Sequence, residues 1–211
     1  NKDGSFLAYS STKENGYYQI YVMDMTLKKE EIPSPSERIN TSPKLSGNGK
    51  LVVYASEDKS DSEIFLSDTE KKFTINISDN KAKDIHPDIS DDGGKIIFQS
   101  DRTGDNEIFL ADTNTRQLIN ISHDPKAQDR NPSISKDGNI VVYESAPIWS
   151  RSGITILFLN TKKKYCIYDM DTFRVNPKIT GDGKKVINTA NNICFMTDIN
   201  KLTEKTTNQG K

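Results

Sequence analysis

Few residues of this 211-residue chain could carry acid–base, nucleophilic or metal chemistry. It has two histidines, His86 and His123, and two cysteines, Cys166 and Cys194. Nucleophilic catalysis of the Ser/His type needs a base that a third group positions. Neither histidine is accompanied by a serine nucleophile motif or an oxyanion loop, and the spacing of the four residues matches no structural zinc pattern. We therefore predict no catalytic residue, no metal and no cofactor, and no enzymatic activity for this chain by itself.

Three further patterns resemble active sites only in part. The stretch "GDGKK" at 181–185 lacks the spacing of a phosphate-binding loop. The Asp-rich turns lack the alternating oxygen ligands and terminal Glu of an EF-hand loop. Glycoside hydrolysis needs two or more converging carboxylates, whereas Asp88 is the one acidic residue among the equivalent positions Lys44, Ser133 and Lys178.

The chain is an internal repeat, and this determines how its polar residues are positioned. The segment "HPDISDDGGKIIFQSDRTGDNEIFLAD" (86–112) has counterparts before and after it, whose prolines are Pro43, Pro87, Pro132 and Pro177. These prolines are 44, 45 and 45 residues apart, and a fifth copy opens the chain as "NKDGSFLAYSS". A period of about 45 residues with four short strands is typical of a β-propeller blade.

Each copy predicts four strands. The segment at the proline alternates polar and apolar residues, as a strand with one dry face does. A tight turn with a glycine follows (Gly49, Gly93, Gly138 and Gly183), which is a hairpin signal, and a Ser or Thr hydroxyl before it can bond backbone N–H groups. The second and third strands are unbroken apolar runs, which predicts that each sheet is sandwiched between two others. "RQLINIS" at 116–122 alternates again, as expected of an outer fourth strand.

The predicted fold is therefore all-β: a propeller of about five four-stranded blades in one domain, covering 1–39, 40–84, 85–129, 130–174 and 175–211. The first blade lacks its inner strand. Two arrangements are left open, an imperfectly closed five-bladed ring and a fragment of a six- or seven-bladed ring. Cys194 replaces an Ile of the other copies, so we expect a buried, inert thiol there.

Composition limits the kind of partner. The net charge of −1 provides no basic surplus for nucleic acid or an anionic membrane surface. No apolar stretch approaches the ~20 residues that cross a bilayer, so membrane insertion is not expected. The sequence begins without a signal peptide or an initiator Met, and we expect a processed or trimmed chain.

The repeat resembles that of the TolB-like β-propellers, which are also attached to prolyl-oligopeptidase-type peptidases. That pattern is Pro-x-x-Ser-x-Asp-Gly, an apolar strand, Ser-Asp-Arg-x-Gly-x-x-(Glu/Gln), then Ile-(Tyr/Phe)-Val-x-Asp. The copy from Pro87 to Asp112 follows it, with Leu110 in place of the Val. The resemblance implies a periplasmic or cell-envelope protein. It also implies that Asp101-Arg102 is a loop-locking ion pair that ties the second strand of the blade to the third.

The predicted binding face is the end of the propeller that carries the longer, charged loops. These loops bring together His86, Arg130, Asn131, Arg174 and Asn176, with Asp88 at the channel. Ser42, His86, Asn131 and Asn176 each precede a repeat proline and predict a polar ring at the channel mouth. The alternative is that these residues only cap strand ends and wet the channel.

The loop "SAPIWSRSG" (145–153) breaks the repeat and holds the single tryptophan, Trp149, beside Arg151. Trp and Arg are enriched at interface hot spots, and function is often added in such loops. Trp149 is thus a candidate apolar anchor, with Arg130, Arg151 and Arg174 as carboxylate partners, although local packing of this loop would also explain it.

The sequence therefore favours a non-catalytic scaffold that binds a protein or peptide around its channel. Two alternatives are kept. One is a substrate-gating propeller of a prolyl-oligopeptidase-type peptidase whose catalytic domain lies elsewhere. The other is a propeller that captures a small molecule or sugar in its channel.

Overall fold

The computed structural model describes residues 1, 3–12, 16–34, 37–147, 152–168, 175–190 and 193–202. Within these ranges eighteen strands form five antiparallel sheets, as the all-β propeller prediction requires. A short helical turn at 199–202 follows the last strand. None of the described helical segments is long and apolar enough to span a bilayer.

Each sheet is a meander whose strands follow chain order. Sheet 1 contains β1 (Phe6–Ser11), β2 (Gln19–Asp24) and β3 (Lys29–Glu31). Sheet 2 contains β4 (Ile39–Leu45), β5 (Leu51–Glu57), β6 (Ser62–Asp68) and β7 (Phe73–Asn76). Sheet 3 contains β8 (Asp84–Ile89), β9 (Lys95–Ser100), β10 (Glu107–Asp112) and β11 (Gln117–Asn120). Sheet 4 contains β12 (Ala127–Ile134), β13 (Ile140–Pro147), β14 (Gly153–Phe158) and β15 (Lys163–Ile167). Sheet 5 contains β16 (Val175–Ile179), β17 (Lys185–Ala190) and β18 (Ile193–Asp198).

The first and last sheets have three described strands each. Among the described residues, sheet 1 starts at the strand equivalent to β5 and β9, as predicted for a first blade without its inner strand. The tail from 203 to 211, which could have supplied a last strand, lies outside the described residues. The inner strands β4, β8 and β12 begin one to three residues before the blade limits predicted from the prolines, because they continue backwards past the proline through a bulge.

The turns between the first two strands of each blade are built as their sequence indicates. Gly49, Gly93, Gly138 and Gly183 have φ between 68° and 74°, a conformation that costs glycine little. The hydroxyl before the turn accepts a hydrogen bond from the backbone N–H that starts the next strand. This N···O distance is 3.0 Å from Lys95 to Ser90 and 3.1 Å from Leu51 to Ser46.

Consecutive sheets pack face to face through four apolar clusters. Ile96 and Phe98 of β9 pack toward sheet 2, whereas Ile97 between them packs toward sheet 4. All three are fully buried, since successive residues of a strand point to opposite faces. This is the double-sided burial predicted from the unbroken apolar runs, and the removal of apolar surface from water holds the stack together.

Double-sided burial does not extend to the whole molecule. In sheets 1 and 5 another described sheet covers only one face, so Leu7 remains 50% exposed and Met196 62% exposed. Cys194 is exposed for the same reason, and the expectation of a buried thiol was wrong. The outer strands are exposed as well. All four residues of β7 are exposed, as are Leu118 and Ile119 of β11, because these strands lie beyond the apolar clusters.

Candidate binding face at the channel mouth

The loops that were expected to share one end of the propeller do so. The backbone N–H of Lys83, just before β8, donates to the Asp101 carboxylate of the β9–β10 loop at 2.8 Å. In the next pair of sheets, the Asn106 side-chain amide donates to Gln128 Oε1 at 2.6 Å. The tight glycine turns lie at the opposite ends of the same strands. The longer loops therefore form one continuous polar face.

A bulge interrupts the inner strand of sheets 2 to 5 at the repeat proline. The pairing register shifts across Ser42, His86, Asn131 and Asn176, and these four residues have φ of 55°, 53°, 52° and 53°. Non-glycine residues adopt this left-handed conformation infrequently, Asn more readily than most. Bulges redirect side chains at strand rims, and four equivalent ones make the distortion part of the repeat.

The four bulge residues converge on one small cavity, here called the channel-mouth cavity. Its volume is about 210 Å³. Sheets 2 to 5 all contribute, and its lining comprises Ser42, Pro43, Lys44, His86, Pro87, Asn131, Pro132, Asn176 and Lys178. The polar ring predicted from the pre-proline positions thus corresponds to a physical concavity.

Asp88 has a structural role at the channel. Its Oδ2 accepts hydrogen bonds from the Ser133 hydroxyl at 3.1 Å and from the backbone N–H of Ile134 at 3.0 Å. These bonds join the inner strands of sheets 3 and 4. Because a carboxylate oxygen that accepts two donors is already satisfied on that side, Asp88 links the two blades structurally.

Two lysines face the cavity from sheets 2 and 5, namely Lys44 and Lys178. Although Lys178 is exposed to the channel, the surrounding protein removes water from its ammonium group and lowers its pKa. The positive charge of Lys44 lowers the pKa of Lys178 further, and Asp88 partly opposes this effect. The described lining of the cavity thus holds two lysines and no carboxylate.

A hydrogen-bonded chain of amide side chains connects the cavity to the loops. Gln99, which is 5% exposed, contacts His86 Nδ1 at 3.4 Å and accepts a hydrogen bond from the Asn131 backbone N–H at 3.3 Å. Its amide donates to Asn106 at 2.8 Å. The adjoining Arg130 is exposed and donates to Gln128 at 3.4 Å, so it is available on the surface of this face.

Arg102 is a structural residue, but its partner differs from the one predicted. Its guanidinium binds the buried Asp84 carboxylate at 3.1 and 3.2 Å and donates to Ser100 at 3.0 Å. It also lies over the rings of Phe98 and Phe109, 5.6 and 4.7 Å from their centroids. The ion pair therefore ties the loop to the inner strand β8, not β9 to β10, because Asp101 is engaged with the Lys83 backbone.

Asp129 is the equivalent of Asp84 in the next blade, and sequence analysis overlooked it. Pro147 stands at the position of Arg102, so no arginine of the described residues takes that place beside Asp129. Asp129 is 1% exposed, and its Oδ1 has no hydrogen-bond partner in the described part of the chain. Burial raises its pKa to about 6, helped by the nearby Glu107 and Asp124 charges and opposed by the hydroxyls of Ser145 and Ser122. Aligning Asp84 with Asp129, and then Arg102 with Pro147, would have revealed this.

Other predicted site residues cannot be placed. Trp149, Arg151 and Arg174 lie outside the described residues.

A larger groove of about 750 Å³, which the sequence did not indicate, runs along the rim between sheets 2 and 3. Its lining includes Phe73, Ile75 and Leu118 with charged residues around them, and it lies away from the channel mouth.

Stacked antiparallel sheets whose inner strands surround one cavity define a β-propeller fold. The sequence pattern of the TolB beta propeller domain matches residues 1–192. The chain therefore belongs to the TolB β-propeller domain family. Comparison with the sequences of curated proteins gives no significant match.

Solved structures agree with the fold. TolB from Acinetobacter baumannii superposes with a TM-score of 0.72 at 19% identity, over 93% of this chain and 50% of that one. A putative TolB from Agrobacterium tumefaciens gives 0.69 at 20% identity, over 93% of this chain and 72% of that one. A prolyl endopeptidase gives 0.71 at 13% identity, over 94% of this chain and 33% of that one. The chain thus spans half the length of the Acinetobacter TolB, and at these identities the likeness concerns the fold.

Proposed function

We propose that this chain is a non-catalytic scaffold that binds a protein or peptide partner through its loop-bearing face, around the channel mouth. The observation that carries the proposal is the convergence of four equivalent bulge residues, from four sheets, on one cationic cavity. The bulges recur at a conformational cost, and such strain is concentrated at functional sites. The buried stack beneath makes the face rigid, which lowers the entropy lost on binding.

The contact residues of the proposal are predicted from the sequence, and its cellular location is inferred from family membership. Trp149 would be an apolar anchor at the edge of the face, and Arg130, Arg151 and Arg174 would pair with carboxylates of the partner. Similarity to TolB supports a location in the periplasm or cell envelope of a bacterium.

Variants at the mouth test this function. His86→Gly combined with Asn176→Gly removes two exposed side chains, and glycine accepts the left-handed backbone there without strain. The variant is used as bait in crosslinking and affinity capture from an envelope extract, beside the unmodified chain. We expect at least about tenfold less of the captured partner, since loss of central contacts typically costs more than 1 kcal/mol.

Lys184→Ala is the matched control, because Lys184 lies in the glycine turn at the opposite end of sheet 5. It should capture the partner normally, and circular dichroism should show the same β spectrum for all three proteins. Equal capture by the mouth variant and the unmodified chain would reject the mouth as the binding face. Trp149→Ala with Arg151→Ala tests the anchor loop in the same way.

A gating propeller of a peptidase is a second candidate, favoured by the likeness to a prolyl endopeptidase. It predicts an α/β-hydrolase domain with a Gly-x-Ser-x-Gly nucleophile turn elsewhere in the full-length protein. Sequencing the complete reading frame checks this, and the absence of such a turn would eliminate it.

A further inference from the structure

Two ammonium groups line the channel-mouth cavity, whose described lining contains no carboxylate. Lys44 approaches from sheet 2 and Lys178 from sheet 5. In the part of the chain that the structure describes, neither ammonium group has a hydrogen-bond or ion-pair partner within contact distance. Burial lowers the pKa of Lys178, and the positive charge of Lys44 lowers it further.

The nearest carboxylate cannot satisfy both lysines. One oxygen of Asp88 is held by Ser133 and Ile134, and the other accepts from the Ile89 backbone N–H at 3.1 Å. The inner-strand positions Lys44, Asp88, Ser133 and Lys178 therefore leave one excess positive charge at the channel. An incoming anion would neutralise it.

The volume of the cavity limits what can enter. Pockets for drug-sized ligands have volumes of about 300 to 1,000 Å³, and 210 Å³ is below that range. The space equals roughly seven waters at about 30 Å³ each. It suits a single functional group with a few atoms behind it, at the end of a longer segment that lies on the surrounding loops.

The lining also suits a carboxylate better than an apolar group. Asn176 and Ser42 place side-chain hydrogen-bond donors in the lining beside the two lysines. The Asn131 amide donates to the Glu144 carboxylate at 3.2 Å, and His86 Nδ1 contacts Gln99. Charge-assisted hydrogen bonds from ammonium to carboxylate are about twice as strong as neutral ones. The prolines of the lining have no N–H, so the donors in the cavity are concentrated on these side chains.

We propose that the channel-mouth cavity is a carboxylate-binding site in which Lys44 and Lys178 together receive one carboxylate of the partner. This rests on the proposed function, because it assumes that the partner lies on the loop-bearing face. The carboxylate belongs either to an acidic side chain or to a free C-terminus, and the two sources share this chemistry.

The experiment measures the NMR signals of the two lysines during a ligand titration. The 211-residue chain, labelled at lysine Cε and Nζ, is titrated with butyrate, which represents a glutamate side chain, and with N-acetylglycine, which represents a C-terminus. Butyramide is the neutral control. We expect saturable shifts of the Lys44 and Lys178 signals with at least one of the acids, a rise in the pKa of Lys178 on binding, and no saturable shift with butyramide. The acid that binds more tightly identifies the source.

Three variants make the test specific. Lys44→Met with Lys178→Met should weaken binding of the acid at least tenfold. Lys178→Arg, which keeps the charge, should retain binding within a few-fold. Lys163→Met, on the outer strand β15, removes the same charge at a distance and should leave binding unchanged.

The proposal is overturned by any of three results: no saturable shift with either acid, equal binding of butyramide, or equal weakening by Lys163→Met. If the double variant does not fold, the proposal is still tested by the Lys178→Arg and Lys163→Met proteins and by the comparison with butyramide. If the carboxylate proposal is overturned, the proposed function still stands. That function is tested separately, by partner capture with variants of His86 and Asn176, whose side chains carry no permanent charge.

Discussion

At the scale of single residues, comparison of equivalent positions in neighbouring blades distinguishes structural charges from unusual ones. Asp84 and Asp129 occupy the same place on β8 and β12, and within the described ranges a guanidinium lies beside Asp84 but not beside Asp129. Asp129 remains a buried carboxyl group without a cationic partner among the described residues. Its raised pKa follows from burial.

Asp129 should make stability depend on pH. Its pKa rises from 3.8 to about 6 on folding, so the folded state holds its proton more tightly. The stabilisation that protonated Asp129 gives the folded state is complete below pH 3.8 and is lost as the pH rises through about 6. Two pKa units correspond to about 3 kcal/mol at most. Asp129→Asn should therefore increase the free energy of unfolding at pH 7.5. It should also remove the decrease in the free energy of unfolding that Asp129 causes between pH 4 and 6.

Urea denaturation at a series of pH values measures this effect. Asp84→Asn is the matched control, and it should destabilise the protein at pH 7.5 because it leaves Arg102 without its carboxylate. An Asp129→Asn protein that is less stable than the unmodified chain at pH 7.5 would contradict the assignment.

The residues of the mouth could be predicted from the sequence only in part. The prolines and the residues before them were visible because the repeat places them 44 or 45 residues apart. Their left-handed backbone was not, since His86 and Ser42 carry no local signal for it, although Asn131 and Asn176 do. Asp129 was missed because an absent partner, here the arginine replaced by Pro147, has no motif of its own.

At the scale of strands and loops, one ion pair holds the inner strand of sheet 3 to its loop. Arg102 has 19% of its side chain exposed and Asp84 has none. Removal of one member of such a buried pair leaves the other charge unsatisfied, which costs about 3 to 5 kcal/mol. The stacking of the guanidinium on Phe98 and Phe109 adds to this.

Arg102→Met should therefore destabilise the chain by about 3 kcal/mol. Asp84→Asn should cost a similar amount, and the double variant should cost clearly less than the two together, because each single change already breaks the pair. Urea denaturation of the four proteins gives the coupling energy. Additive losses would show that Arg102 acts through its contacts with the aromatic rings alone. Arg130→Met, at an exposed arginine of the same face, should change stability little.

The strands themselves were largely predictable, and the exceptions have physical causes. The apolar runs and glycine turns predicted the middle strands and their hairpins because both are local in sequence. Strands β4, β8 and β12 start earlier than predicted, since a proline that suggests a strand start lies inside a bulge instead. The alternation of "RQLINIS" predicted an outer strand but not its exposure, because burial depends on how far the neighbouring sheet extends, which local periodicity does not encode.

At the scale of the whole molecule, the five sheets share one meander topology but differ in how far their faces are buried. Sheets 2 to 4 are covered on both faces, whereas sheets 1 and 5 are covered by a described sheet on one face only. Stacked repeats behave as a row of units in which each is stabilised by its neighbours. The end units have one neighbour where the others have two, so they should open more readily.

Amide hydrogen exchange should reveal this gradient. The slowest exchange is expected in β5, β9 and β13, whose side chains are buried on both faces. Exchange in β1 and β18 should be faster, by a factor set by the free energy of local opening, because Leu7 and Met196 leave their outer faces in contact with water. Comparison of Ile97 in β9 with Ile187 in β17 keeps the residue type and the second-strand position constant. Equal protection of the two would show that something covers the outer face of sheet 5 in solution, and the open face described here would then be an occupied interface.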